Sequence, residues 1–216
     1  MTLQLKVYVP PHPLIKHWLA VVRDAMTPTP LFRAGMTELG RWLAYEASRD
    51  WLPTQETVVE TPLTSCAATV IDATTPLIVV PILRAGLALL EGAQAVLPLA
   101  QTYHIGIVRN EETLEPSCYL NKFPAQFEPN THVLISEPML ATGGSILTAM
   151  AELTQRGIDP ALVRIISVVT APPALQKLGA IYPGVQVYAA TIDEGLNDRG
   201  FIVPGLGDAG DRAFGT

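Results

Sequence analysis

Cysteine is scarce in this chain of 216 residues: Cys66 and Cys118 are the whole complement. Two thiols so far apart in sequence suit neither a disulfide framework nor a metal knuckle. Histidine is scarce too. His12, His17, His104 and His132 are scattered without HxxxH-type spacing, so they read as structural and no metal-ligand set is assigned. No uninterrupted apolar run is long enough to cross a bilayer. The opening MTLQLKVYVPPHPL lacks the charge–apolar–cleavage order of a signal peptide, which makes the cytoplasm the expected compartment. Positive charge is in short supply: 14 Lys and Arg face 20 Asp and Glu, for a net charge of −6. That balance argues against a protein made for nucleic acid. An anionic small-molecule substrate remains compatible, provided local cations overcome the overall field. What the chain does have is apolar substance. Hydrophobic residues make up 49% and charged residues 16%, enough for a sizeable core and against disorder. The length suits a single domain, and no repeat or low-complexity segment divides it.

The periodicity changes along the chain. Residues 14 to 25 and 31 to 49 place apolar side chains at helical spacing, with Pro30 positioned to start the second helix. TVVETPL (57 to 63) alternates like a strand. PLIVVPI (76 to 82) is a continuous β-branched run, as expected of a strand covered on both faces. A helix is expected from about Ala85 to Leu97. HIGIV (104 to 108), HVLIS (132 to 136), VRIISVV (163 to 169) and VQVYAA (185 to 190) read as further strands, with helices near 145 to 156 and 172 to 180. This alternation predicts an α/β fold: a mostly parallel central sheet flanked by helices. The polar, proline-bearing stretch 110 to 130 breaks the rhythm and is expected to project as a hairpin arm. The tail, 193 to 216, is rich in glycine and charge and has no clear period. It is too long for an idle connector, and such loops are often functional.

The junction LISEPMLATGGSILTAM (134 to 150) carries the most information. In an open parallel sheet, ligands bind outside the carboxyl ends of the strands, and Glu137 stands at such an end. ATGGS then opens a helix. A helix's first turn has unpaired N–H groups and partial positive charge, which suits phosphate. Gly143 and Gly144 permit close backbone approach, while Thr142 and Ser145 add hydroxyl donors. No lysine follows, which excludes the GxxxxGK[ST] loop of a nucleoside-triphosphatase. A bare TGGS could be only a glycine turn with Ser145 as N-cap. The carboxylate five residues before Thr142 shifts the balance, because it suits sugar hydroxyls beside a bound phosphate. Together they point to a sugar phosphate.

EPMLATGGS resembles the phosphoribosyl-pyrophosphate (PRPP) loop of the type I phosphoribosyltransferases, and its Pro-Met-Leu wording is that of the uracil phosphoribosyltransferases. HPLIKHWLAVVRD, PILRAGL (81 to 87), ETLEP (112 to 116) and IDEGLNDRGFIVPGLGDAGDRAFGT follow that family's order over nearly the whole chain. The resemblance implies the type I phosphoribosyltransferase fold and transfer of phosphoribose from PRPP to uracil. It also implies residue roles. Arg84 and Arg109 would bind the pyrophosphate of PRPP, and arginine's planar fork matches phosphate oxygens. Glu137, Pro138, Met139, Leu140, Ala141, Thr142, Gly143, Gly144 and Ser145 would form the PRPP loop. Ile202, Gly207, Asp208 and Ala209 would contact uracil, with Asp208 near PRPP as well. The catalytic set is then Arg84, Arg109, Glu137 and Asp208. Without the motifs, Arg84 and Arg109 would pass for solvated strand-end cations, and GLGDAG for a mobile tail. Asp193 and Glu194 could line the cleft or be loop scaffolding, and the sequence leaves both readings open.

Mg²⁺ is expected to arrive with PRPP, since no dedicated protein cage is visible. Family resemblance further implies a homodimer or larger assembly, with 110 to 130 as an inter-subunit arm. GTP activates some relatives, and the sequence leaves its role here open. Two residues depart from the family pattern: Glu137 and Asn110 stand where aspartate is usual. They are the only support for a rival reading, a non-catalytic regulator that senses PRPP or a nucleotide. A phosphoribosyltransferase for another base is the weaker alternative within the enzyme class.

Overall fold

The computed structural model describes residues 4–109 and 116–216. A short strand β1 (Lys6–Tyr8) precedes helices α1 (Pro13–Arg23) and α2 (Thr29–Ser48). Strands β2 (Thr54–Glu60), β3 (Ser65–Ile71) and β4 (Leu77–Leu83) lead to helix α3 (Leu87–Val96). The chain continues through β5 (Gln101–Thr102), β6 (Ile105–Arg109), β7 (Pro116–Asn121), β8 (His132–Ser136) and β9 (Met139–Leu140) into α4 (Gly144–Gln155). After a single 3₁₀ turn come β10 (Val163–Thr170), α5 (Pro172–Ile181) and β11 (Gln186–Ile192). β12 (Gly195–Leu196), β13 (Ile202–Val203) and α6 (Ala209–Phe214) complete the tail.

The main sheet runs β1-β11-β10-β8-β4-β6-β7, with β5 beside β4 and β9 beside β10. Every pairing in it is parallel except β6 with β7. Parallel strands need crossovers, and the helices that supply them cover both faces. That is why β4 and β10 show no alternation of buried and exposed residues: all eight residues of β10 are buried, and so are the five central residues of β4. One face packs against α1, α2, α3 and α6 through Phe32, Met36, Leu39, Leu89 and Ala213. The other packs against α4 and α5 through Ile146, Met150, Leu153, Ala174 and Leu178.

Helices α2 and α3 touch backbone to backbone. A Cβ on Gly92 would lie 1.9 Å from the Thr37 carbonyl oxygen, and one on Gly40 would lie 2.2 Å from that of Leu89. Neither obstacle is a flexible side chain, so the helices themselves would have to separate. Gly92→Ala is therefore expected to lower stability by about 2 kcal/mol or more. Urea unfolding checks this, and a stability equal to the parent's would show that the two helices slide apart freely.

The structure departs from the sequence expectations in three places. The strand expected at 57 to 63 is one arm of a hairpin, β2–β3, which forms a two-stranded sheet of its own. Its residues are largely exposed on both faces, so no buried face imposed the alternation that would have revealed β3. The stretch expected at 110 to 130 to project as a hairpin arm does pair as a hairpin, and its described part also reaches into the core. β7 pairs with β6 at the sheet edge, Phe127 is buried in the core, and Phe123 packs beside it; residues 110–115 lie outside the described residues. The longer hairpin outside the main sheet is 54 to 71. Finally, the tail that showed no period contains the β12–β13 pair and α6.

Candidate active site

β4 and β8 are neighbours, paired from Leu77↔His132 to Pro81↔Ser136. From β4 the chain moves on through α3 to β6. From β8 it moves through α4 to β10, on the other side. The order of strands reverses between β4 and β8, and open α/β sheets bind ligands at the carboxyl ends of such a pair. Arg84 follows the end of β4, and Glu137 follows the end of β8. The turn after Arg84 is packed onto β8, where the Ser136 hydroxyl donates to the Gly86 carbonyl at 3.1 Å.

The glycine turn sits one step further along. Helix α4 begins at Gly144, not at Ser145, and Gly143 holds the cap position with φ +87° and no side-chain capping bond. A residue with a Cβ is strained at that φ, so glycine is required there. Ser145 lies inside the first turn rather than capping it. No side chain of the cap occupies the helix's first N–H groups, which leaves them for an anion. Lys177 on α5 donates to the Thr142 carbonyl at 3.0 Å and braces the turn from behind.

Glu137 is 7% exposed yet reaches the cleft. Burial pushes its carboxyl up from 4.5 to about 8, and the Met139 backbone N–H offsets part of that rise. Near neutral pH Glu137 is therefore largely protonated. Arg84 is half exposed. It pairs with Asp211 at 2.9 Å and donates to the Thr216 hydroxyl at 3.3 Å, so α6 and the chain's last residue hold its fork in the cleft. Asp208 caps α6 by accepting from the Asp211 N–H at 3.0 Å.

These elements enclose one cleft of about 830 Å³. It brings together Arg84, Glu137, Met139, Leu140, Ala141, Thr142, Gly143, Gly144, Ser145, Ile202 and Asp208. Three expected residues do not line it. The Pro138 carbonyl is taken by the N–H groups of Val168 and Val169. Ala209 is fully buried at the start of α6, and Gly207 is exposed at the loop beside it. Arg109 ends β6, but its side chain and Asn110 lie outside the described residues. Asp193 resolves as scaffolding: it pairs with Arg23 and accepts from the Gly205 N–H at 2.9 Å. Sequence reasoning missed Asp198, Arg199, Phe201 and Asp211, which also line the cleft. Asp211 had a signal, since it stands three residues after Asp208, one turn along a helix. The others sit in an irregular loop that offers no period.

No helix among the described residues is long and apolar enough to cross a membrane. The family model described as uracil phosphoribosyltransferase matches residues 9–216. A uracil phosphoribosyltransferase of Nostoc sp. is 74% identical over the full length of both chains. That of Synechocystis sp. is 63% identical, again over the full length of both. The chloroplastic uracil phosphoribosyltransferase of Arabidopsis thaliana is 52% identical over 99% of this chain and 72% of its own. A solved structure from Aquifex aeolicus superposes with a TM-score of 0.88 at 38% identity, covering 96% of this chain and 97% of that one. The chain belongs to the uracil phosphoribosyltransferase family.

Proposed function

We propose that this chain transfers the 5-phosphoribosyl group of PRPP to uracil, giving uridine 5′-monophosphate and pyrophosphate. The observation that carries the reading is that one cleft joins an uncapped helix N-terminus, a buried carboxyl and an arginine fork to the tail that holds the base motif. A uracil nitrogen forms a bond to the anomeric carbon as the bond to the pyrophosphate oxygen breaks. The electron pair departs with pyrophosphate, and the nitrogen's proton goes to water. The transition state has oxocarbenium character, so catalysis is positioning plus electrostatics. The turn 142 to 145 receives the 5′-phosphate on backbone N–H groups. Glu137 accepts from the ribose hydroxyls and, once ionised, favours positive charge at the anomeric carbon. Arg84 and Arg109 hold the leaving pyrophosphate.

Among the described residues, no group of three or more His, Cys, Asp or Glu could hold a metal. The donors present thus fit Mg²⁺ carried on the phosphates of PRPP rather than in a protein cage. Bound there, it offsets the charge of the leaving pyrophosphate. We place the enzyme in the cytoplasm, as a homodimer or larger assembly. Supporting assembly is the exposed apolar surface of the β2–β3 hairpin and its turn, including Val58 and Leu63. Light scattering at assay concentration tests it, and a monomer there rejects it. GTP enters as a candidate activator, tested by initial rates with and without it at limiting PRPP.

Purified protein given PRPP, Mg²⁺ and each nucleobase in turn is expected to turn over uracil far faster than cytosine, thymine or any purine. A site built to pair uracil's carbonyls and N–H groups leaves buried groups unpaired when cytosine enters. Comparable turnover of a purine, or none of uracil at saturating PRPP, rejects the proposal.

A further inference from the structure

The base motif 207 to 209 is short and lies partly exposed, yet base selection demands a rigid loop. The residues immediately before it are gripped by charged side chains from outside the motif. The Asp193 carboxylate, buried at the end of β11, accepts the Gly205 N–H at 2.9 Å through one oxygen and ion-pairs with Arg23 through the other. Arg23, in the last turn of α1, donates in turn to the Gly205 carbonyl at 3.2 Å. One ion pair thus holds both backbone groups of the same residue.

Arg212, on α6, holds the next residue. Its guanidinium donates to the Leu206 carbonyl at 2.7 Å and to the carbonyls of Val22 and Asp24, at the C-terminal end of α1. It also lies 4.3 Å over the Phe32 ring of α2. The carbonyls of Val22 and Asp24 lie at the negative end of α1, so the arginine complements that helix end while tying the tail to the N-terminal helices. A lysine has one nitrogen and no planar face. It could not serve three carbonyls and a ring together.

We propose that Arg212, with the Arg23–Asp193 pair, forms a clasp that sets the backbone of the base motif and so determines selection of uracil. These are positioning residues. They reach the base only through Gly205, Leu206 and the segment that follows. The inference rests on the uracil-transfer reading, and the two can fail separately. Should the parent protein not turn over uracil, that reading fails. Should the parent do so and the clasp variants retain its uracil kinetics, only the clasp fails.

The test is steady-state kinetics of Arg212→Lys, with uracil and PRPP varied separately and cytosine as competitor. KM for uracil is expected to rise about tenfold, the scale of about one or two charge-assisted hydrogen bonds lost. The preference for uracil over cytosine should narrow. KM for PRPP should rise less than KM for uracil, because none of the carbonyls that Arg212 holds lies in the turn 142 to 145. An unchanged uracil KM overturns the proposal, and so does an equal rise in both KM values with a fall in kcat. Asp193→Asn keeps the shape and weakens the grip on Arg23, so it is read by the same split. If neither variant folds, the clasp is a general stabiliser and the proposal is rejected.

Discussion

Arg84→Ala lowers kcat/KM by about a hundredfold or more, the scale of losing one preorganised donor to the charge that develops in the transition state. Arg84 stands after β4 at the point where the strand order reverses, and its fork is held in the cleft by Asp211 and Thr216. The ion pair is half exposed on both sides, 54% and 48%, and such pairs contribute little to stability. The alanine variant should therefore fold like the parent, so lost activity reports on the reaction. Arg84→Lys should recover only part, because the charge returns without the fork. Thermal unfolding and steady-state kinetics of the three proteins decide it. Near-parental kinetics for Arg84→Ala would make this arginine a surface residue.

Glu137→Gln separates two effects that one carboxyl combines. In the folded protein burial penalises the charge of this group and pushes it up from 4.5 to about 8. Between those values the native state binds more protons than the unfolded chain, so its contribution to stability falls as pH rises. The contribution is complete below about 4.5, declines through the window and is gone above about 8. Parent and Glu137→Gln should accordingly diverge on raising pH, the parent losing on the order of a few kcal/mol relative to the variant. Denaturant unfolding across pH 4 to 9 measures the difference, and parallel curves would refute the shifted carboxyl. The kinetic arm runs the opposite way. Only the ionised acid favours a cationic anomeric carbon, so kcat/KM for PRPP should rise toward pH 8 in the parent and lose that limb in the variant. The single-turnover rate should fall more than PRPP affinity, since the cation exists only in the transition state. Glu137→Asp should stay within about tenfold of the parent, as the extra methylene is accommodated at about 1 kcal/mol. A Glu137→Gln protein that reacts like the parent leaves the acid without an electrostatic role.

The parallel sheet was legible because its strands are buried on both faces. HVLIS was bounded correctly to the residue, since nothing in a continuous apolar strand is ambiguous once turns flank it. The glycine turn before α4 was legible for a related reason: glycines and hydroxyls stand there between a strand period and a helix period. β3 was hidden because Ser65–Ile71 faces solvent on both sides and pairs only with β2. α6 was hidden because six residues are too few to establish a period. The alternative that Ser145 merely caps the helix falls because a left-handed Gly143 takes that position, a choice made by backbone φ and not by side-chain chemistry. The roles of Asp193 and Arg23 lay in a partner 170 residues away, which no local pattern encodes.

That separation has a consequence for how the protein comes to life on the ribosome. Arg212 meets the end of α1 across 190 residues, and β1 joins the sheet only through β11. Arg23 and the end of α1 are synthesised well before Asp193 and Arg212, the residues that meet them. Contacts this distant in sequence form late, because loop closure must come before they contribute. The grip of Arg212 on the end of α1 is therefore expected among the last contacts to form as the chain folds.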